Sequence, residues 1–194
     1  LTDIETSAHL LKYDSSYGIW ARNVEVDKEN SELIVDGKPI KYFSEKDPLN
    51  LPWAKMGIDI VLDCTDNYST RHMINARCVA HQTPLVSGSA IRFDGQISVF
   101  DPRNSASPCY ACIFSPEESF DEVSCASMGI FSPLVGIIGS MQAAQALQVL
   151  IGFGEPLVTL ACSNTAKNPC NYVAYAGYGD AKGVSYGYVH DVAG

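Results

Sequence analysis

The apolar and polar positions divide the chain into three regions of different texture. Residues 57–157 predict α/β structure, because the short apolar run 58–63 suits a buried parallel strand and is followed by a helical pattern. Asp66-Asn67 is predicted to cap this helix, which reaches about His81. Further strands are predicted over 84–87 and 95–100.

The longest uncharged run, 123–154, predicts a long apolar helix. Ser132 is expected at its N-cap, with Pro133 in the first turn and Gly152 at the end. Three glutamines at three-residue spacing would be costly in lipid, so we expect a helix buried on most sides rather than a membrane span. The small residues Gly136 and Ser140 permit close helix approach, either within a core or across a dimer.

The flanking regions differ from this central part. In residues 1–56, Asp36-Gly37 is a hairpin signal between two strand-like runs. The tyrosines of residues 158–194 follow no single period, which predicts an irregular tail. The expectation is one α/β domain over 1–157 with a Rossmann-like, partial, mixed or parallel sheet and a long buried helix.

Composition and charge narrow the possible functions. The 194-residue chain is globular in composition, with 18% charged and 46% hydrophobic residues. Its formal net charge of -9 repels phosphate backbones, so no nucleic-acid partner is expected. No secretory signal is visible and the seven cysteines are an odd number, so we expect a cytoplasmic protein without a disulfide scaffold.

The segment after the 58–63 strand is the first candidate site. Open α/β sheets bind ligands beyond the carboxyl ends of their strands, and Asp66 there could hold Mg²⁺ against the phosphates of a nucleotide. A helix N-cap needs the same residue type at the same place, so that alternative stays open. Arg71 could clamp an anion or be a solvated helix arginine.

Two groups of cysteines are further candidates. Cys109 and Cys112 form a CxxC pair that could bind Zn²⁺, act as a redox dithiol or simply pack together. Cys125 precedes the long helix, where a thiol can be activated as a nucleophile, although a lone cysteine is more often inert.

Five motifs in a fixed order resemble the ThiF/MoeB/HesA adenylyltransferases, relatives of the ubiquitin-activating enzymes. They are Asp-Cys-Thr-Asp-Asn at 63–67, Pro-Leu-Val-Ser-Gly-Ser-Ala at 84–90, Asp-Gly-Gln at 94–96, Pro-Cys-Tyr-Ala-Cys at 108–112 and Pro-Leu-Val-Gly-Ile-Ile-Gly-Ser-Met-Gln-Ala at 133–143. The resemblance covers about half the chain.

This resemblance implies that ATP and Mg²⁺ are used to adenylate the C-terminal glycine of a ubiquitin-like sulfur-carrier protein. Asp66 matches the essential aspartate of the family, with Asn67 and Arg71 beside it in the nucleotide site. Cys125 matches a cysteine used for persulfide or acyl chemistry in some members. A homodimer without a membrane partner is expected.

The resemblance also implies a zinc site, which is incomplete here. Cys109 and Cys112 match the first zinc pair, but the second pair is reduced to Cys170, because Val173 stands where its partner would be. His190 is a conceivable additional ligand.

The Gly-rich ATP loop that precedes the Asp66 strand in the family is not recognisable in residues 1–56. We therefore expect ATP turnover to be impaired or lost.

A second resemblance covers roughly residues 7–65. Ala-His-Leu-Leu-Lys-Tyr-Asp-Ser at 8–15, Asp-Gly-Lys-Pro-Ile at 36–40 and Asp-Pro-Leu-Asn-Leu-Pro-Trp at 47–53 resemble glyceraldehyde-3-phosphate dehydrogenase. The chain is thus predicted to be a hybrid joined within a shared strand near residues 59–65. A remnant of an NAD-dependent dehydrogenase and a non-catalytic dimerising or zinc-binding module are the alternative functions.

Overall fold

The computed structural model describes residues 2–15, 17–91, 94–105, 107–116, 129–153, 174–179 and 183–188. The chain divides into two compact units, Leu1–Leu51 and Pro52–Gly194. This differs from the single domain expected over 1–157. The reason is that residues 2–51 pair their strands locally, in sheets of their own.

The first unit consists of one helix and short antiparallel strands. Helix α1 (Ile4–Lys12) begins at Asp3, whose side chain accepts a hydrogen bond from the Thr6 amide. The strands are β1 (Tyr13–Asp14), β2 (Gly18–Ile19), β3 (Val24–Asp27), β4 (Glu32–Val35) and β5 (Lys38–Lys41). A 3₁₀ turn follows at Pro48–Asn50.

Strands β3, β4 and β5 form a three-stranded antiparallel sheet. Asp36 and Gly37 both have positive φ angles, of 48° and 77°, as a two-residue type I′ hairpin turn requires. The predicted hairpin is therefore confirmed.

The second unit contains a five-stranded mixed sheet in the order β10-β9-β8-β7-β6. Its strands are β6 (Val61–Asp63), β7 (Leu85–Ile91), β8 (Asp94–Phe100), β9 (Ala174–Gly179) and β10 (Gly183–Tyr188). β6 and β7 are parallel and are joined through helix α3 (Tyr68–His81), which makes a βαβ unit of the Rossmann type. The remaining pairs are antiparallel, so the expected α/β fold with a mixed sheet is confirmed.

Strands β9 and β10 lie in the region predicted to be irregular. Glycine and alanine alternate there with tyrosine, which gives no clear local strand signal, and the partner that β9 needs is the distant β8. The predicted irregular tail is therefore wrong for residues 174–179 and 183–188, which form these two strands.

Opposite faces of β7 and β8 contact different core clusters. Leu85 and Phe100 pack with Ile74 and Cys78 of α3, whereas Val86, Ile97 and Val99 pack with Ala146 of helix α5 (Ser132–Ile151). Two short helices, α2 (Trp53–Met56) and α4 (Tyr110–Ile113), complete the unit. α3 and α5 therefore cover opposite faces of β7 and β8.

Helix α5 differs in two ways from its prediction. Phe131 and not Ser132 is the N-cap, because the helical hydrogen bonds begin with the Leu134 amide bonded to the Phe131 carbonyl. The helix is buried along one stripe only, and several apolar side chains outside that stripe are exposed among the described residues. The buried stripe is Leu134, Ile138, Gln142 and Ala146, and the exposed residues include Val135, Ile137, Leu147, Leu150 and Ile151.

By length and composition α5 would also suit a membrane span, a property that core helices of soluble proteins share.

Candidate functional site

The chain turns sharply where β6 ends. The buried carboxylate of Asp63 accepts hydrogen bonds from the Thr65 amide at 2.9 Å and the Thr65 hydroxyl at 2.7 Å. Its other oxygen accepts one from the Ser87 hydroxyl of β7 at 3.1 Å. An aspartate that bonds the backbone two residues onward forms an Asx turn. Asp63 therefore fixes the path of the segment that leads to Asp66.

Arg71 holds the same segment from α3. Its side chain is buried, and its guanidinium donates a hydrogen bond to the Thr65 carbonyl. The alternative of a solvated helix arginine is therefore wrong. The sequence pattern could not show this burial, because the partner of Arg71 is a main-chain carbonyl.

Asn67, and not Asp66, is the N-cap of α3. The Asn67 side-chain oxygen accepts the Thr70 amide at 2.8 Å and thereby satisfies one of the free amides of the first turn. Asp66 is exposed, and within the described residues no hydrogen bond or ion pair engages its carboxylate. The helix-capping role considered for Asp66 is therefore performed by Asn67.

Gln142 of α5 bonds to both β6 and β7. Its amide nitrogen donates to the Asp63 carbonyl at 3.0 Å and the Val86 carbonyl at 3.2 Å. Its amide oxygen accepts from the Cys64 thiol at 3.6 Å. A Cβ at Gly88 would collide with this amide, so the glycine makes room for it.

Our sequence reasoning did not assign Gln142 this role. The available signal was a polar residue in an apolar helix, 4% exposed in the structure. A buried amide needs partners, and here they are the Asp63 carbonyl at the carboxyl end of β6 and the carbonyl of Val86, the second residue of β7.

The sheet is open on the side of β6 that faces away from β7. In the described part of the second unit β6 has one strand neighbour only, and its Leu62 is 43% exposed. Nucleotide sites of Rossmann sheets lie between the loops of neighbouring parallel strands. The Asp66 segment follows the carboxyl end of β6, which is the position that such a site would use.

Cys109 and Cys112 lie together at the ends of one helical turn. Their sulfur atoms are 3.5 Å apart, and the Cys112 amide donates to the Cys109 carbonyl at 3.0 Å. Between them Tyr110 is buried against Phe100, and its amide donates to the buried side chain of Asn75 at 2.9 Å. The buried Tyr110 therefore attaches the turn that carries both cysteines to the core.

The two thiols differ in acidity. Burial raises the pKa of Cys109, but hydrogen bonds from the Asn75 side chain, Cys112 and nearby amides outweigh it, and the net pKa lies below the ordinary value. Burial raises the pKa of Cys112. At Cys78, burial raises the pKa to about 12.

A structural zinc site would need this pair and two further ligands. Two thiolates on one tetrahedral Zn²⁺ lie roughly 3.7 Å apart, given a Zn–S distance of about 2.3 Å, and the pair is close to that spacing. Within the described ranges no third His, Cys, Asp or Glu joins them. The predicted ligand Cys170, the conceivable ligand His190 and the candidate nucleophile Cys125 lie outside the described residues.

A cavity of about 200 Å³ lies beside the two thiols. Its walls combine apolar side chains from the α3-facing core with polar side chains from the loop after β8. The lining includes Cys78, Val79, Leu85, Phe100, Asn104 and Ser107 together with Cys109 and Cys112.

Comparison with known proteins gives this arrangement a family. The ThiF family matches residues 18–175. The molybdopterin-synthase adenylyltransferase of Escherichia coli (strain K12) is 47% identical over 100 residues, which are 50% of this chain and 39% of that protein. The adenylyltransferase and sulfurtransferase MOCS3 of Drosophila sechellia is 44% identical over 111 residues, which are 57% of this chain and 24% of that protein.

A crystal structure of E. coli MccB with succinimide covers 76% of this chain and 40% of its own, at 14% identity and a TM-score of 0.48. The chain therefore spans well under half the length of these relatives. Because the family match extends over most of its residues, the chain belongs to the ThiF family.

Proposed function

We propose that this chain adenylates the C-terminal glycine of a ubiquitin-like sulfur-carrier protein, with Asp66 as the ligand of ATP-bound Mg²⁺. The observation that carries the proposal is an exposed carboxylate beyond the carboxyl end of β6, on a segment fixed by Asp63, Arg71 and Gln142. The names of the two relatives, an adenylyltransferase and an adenylyltransferase-sulfurtransferase, support the same reaction.

The proposed reaction needs little covalent chemistry from the protein. A carboxylate oxygen of the carrier attacks the α-phosphorus of ATP, the bond to the bridging oxygen breaks, and pyrophosphate leaves with its electron pair. Bound Mg²⁺ would neutralise charge on the phosphates, and the protein would hold the reactants in line. Asn67 and Arg71 belong to this site, since both fix the segment that presents Asp66.

β6 has no second strand neighbour among the described residues, and residues 1–56 contain no Gly-rich loop, so we expect these residues to bind a nucleotide weakly. The Gly-rich loop implied by the resemblance would precede β6 and supply amide donors to the phosphates. Without it we expect a high KM for ATP and slow turnover, and not a change of reaction.

Mass spectrometry of the carrier tests the proposal. Incubation with ATP, Mg²⁺ and a carrier should add the mass of AMP to the carrier, and Asp66→Ala should abolish the adduct. Asp59→Ala is the matched control, because Asp59 is an exposed carboxylate that precedes the amino end of β6, whereas Asp66 follows its carboxyl end. If the parent chain forms no adduct, the proposed adenylation is wrong, and a non-catalytic dimerising or zinc-binding module becomes the favoured function.

We also propose that Cys125 takes part in a later persulfide or acyl-transfer step. This rests on its match to the family pattern. Cys125→Ala should leave carrier adenylation intact and reduce sulfur transfer from a persulfide donor. Loss of adenylation in this variant would contradict the separate role.

A homodimer is the assembly we propose, formed through the exposed face of α5. Ile137, Leu147 and Ile151 are 43%, 60% and 68% exposed there, and burying them against a second copy would be favourable. The Ser140 hydroxyl donates a hydrogen bond to the Gly136 carbonyl of the same helix at 2.7 Å. Ser140 therefore projects little from the helix, which allows a second helix to come close. Leu147→Glu should convert the dimer to a monomer in light scattering, and an unchanged mass would count against this face.

Zinc at Cys109, Cys112 and Cys170 remains a prediction of the resemblance, and metal analysis of the purified chain is its test. One zinc per chain without adenylation would favour the non-catalytic zinc-binding module. The dehydrogenase alternative predicts NAD binding, which titration calorimetry measures. A cytoplasmic location agrees with a carrier-modifying enzyme and is part of this proposal.

A further inference from the structure

We propose that Tyr110, acting through Arg71, is a positioning residue for the segment that presents Asp66. The first observation is a chain of contacts on the α3 side of the sheet. Arg71 donates a hydrogen bond to the Thr65 carbonyl, and its guanidinium also donates one to the Tyr110 hydroxyl. This role deepens the proposed function and rests on it for the effect on adenylation.

The two side chains need each other because both are buried. Arg71 is 8% exposed and Tyr110 is 3% exposed. A buried guanidinium requires acceptors for its N–H groups, and a buried phenol requires a partner for its hydroxyl. The Thr65 carbonyl and the Tyr110 hydroxyl are acceptors for Arg71, which therefore links the segment before Asp66 to helix α4.

A second set of contacts joins α4 to the start of α3. The rings of Tyr110 and Phe114 have centroids 4.6 Å apart, and Phe114 meets Tyr68 edge-on at 6.3 Å. Tyr68 is the first residue of α3 and directly follows the N-cap Asn67. The aromatic contacts therefore reach the helix turn that begins immediately after Asp66.

Tyr110 is itself attached to the core on other sides. Its ring packs edge-on against Phe100, with centroids 5.9 Å apart. Its amide donates to the buried Asn75 side chain at 2.9 Å. The Tyr110 hydroxyl is therefore presented to Arg71 from a fixed position.

The segment 64–66 is thus supported from both faces of the sheet. Gln142 of α5 bonds to the end of β6 from one face, whereas Arg71 and Tyr110 act from the other. Since no described residue bonds the Asp66 carboxylate, its position depends on the segment that carries it. In a reaction that relies on positioning, a displacement of about 1 Å costs roughly a hundredfold in rate.

Amide hydrogen exchange, measured by NMR on the full chain, tests the proposal without requiring activity. Tyr110→Phe keeps the ring and removes the hydroxyl. The Thr65 amide, which donates to the Asp63 carboxylate at 2.9 Å, should exchange about tenfold faster, as loss of one supporting hydrogen bond allows. The amides of the β7–β8 pair should not change. Tyr42→Phe is the matched control, because its hydroxyl donates to the Thr2 carbonyl in the first unit.

A double-variant cycle separates positioning through Arg71 from a general contribution to the core. Arg71→Lys loses the planar set of donors that reaches two acceptors, so it should also speed exchange at Thr65. Adding Tyr110→Phe to it should change the rate by less than about twofold, since the two residues act as one unit. In carrier adenylation, Tyr110→Phe should lower kcat about tenfold and leave the KM for the carrier unchanged.

Three results would overturn the proposal. They are parent-like exchange at Thr65 in Tyr110→Phe, effects of the two substitutions that multiply in the double variant, and an unchanged kcat of Tyr110→Phe in a chain whose parent is active. If the parent adenylates no carrier but the exchange follows the predicted pattern, the proposed function fails and the support of the segment by Tyr110 is upheld.

Discussion

Residues 2–51 and residues 52–153 have the same kinds of side chain but use them differently. In the first part Ala8 and Pro48 are buried, while Leu10 and Ile19 are 59% and 70% exposed. In the second, the inner residues of β7 and β8 are almost completely buried on both faces. Local turns specify the first part, whereas contacts distant in sequence specify the second and create its site.

A large-to-small substitution in the sheet of the second unit should change the free energy of unfolding more than any other substitution considered below. Phe100→Ala removes a ring that is 2% exposed and should cost about 3–5 kcal/mol of unfolding free energy. Ile40→Ala, at a position that is 51% exposed, should change it by less than about 0.5 kcal/mol.

The two tryptophans allow each unit to be followed separately, because Trp20 lies in one and Trp53 in the other. In a Trp20→Phe background, Phe100→Ala should move the denaturant midpoint reported by Trp53. In a Trp53→Phe background, the Trp20 transition should stay where it was. If both transitions move together, the two units fold as one and the contrast fails.

Gln142→Leu should have the next largest effect. The substitution leaves the carbonyls of Asp63 and Val86 buried without their donor, and a loss of about 2–3 kcal/mol is expected. Gln148→Leu on the same helix is the control, since the Gln148 side chain accepts a bond from Gln145 and holds no strand, and it should cost less than about 1 kcal/mol. If both variants lost the same stability in thermal unfolding, the bonds from Gln142 to the two strands would contribute nothing measurable.

Alkaline pH should weaken the second unit by a smaller amount. Burial raises the pKa of Cys78 and of Tyr110 to about 12 in the folded chain. Because their folded pKa values exceed the unfolded ones, this stability is complete below about pH 9 and is lost as the pH rises towards 12.

Urea unfolding followed by Trp53 should therefore show a stability that declines from pH 9 upward. The decline should be shallower in Cys78→Ala and in Tyr110→Phe than in the parent. An identical decline in both variants would assign the effect to other groups.

Features set by neighbouring residues could be predicted from the sequence. The Asp36-Gly37 turn, the span of α3 to His81 and the end of α5 at Gly152 follow from local backbone preferences, and all three were correct. The parallel strand before Asp66 was also predicted correctly from its short apolar run, although Leu62 of this strand is 43% exposed.

Features that depend on distant partners could not be predicted in this way. Arg71 is buried because its guanidinium bonds to the main-chain carbonyl of Thr65. Gln142 bonds to carbonyls of two strands that lie 56 and 79 residues away along the chain. The division at Leu51 and the pairing of β9 with β8 likewise depend on contacts that no local pattern contains. Half of the candidate site, the Asp66–Asn67 cap region, could be predicted, and the groups that hold it in place could not.

The central proposal is that Asp66 is available to a nucleotide, since Asn67 caps the helix and no other described residue bonds the Asp66 carboxylate. ATP–pyrophosphate exchange with a carrier protein, measured for the parent, Asp66→Asn and Asp59→Asn, tests it most directly. We predict slow exchange in the parent and in Asp59→Asn and none above background in Asp66→Asn, with unchanged thermal stability in all three. Exchange that survives Asp66→Asn, or is absent from the parent, would contradict the claim.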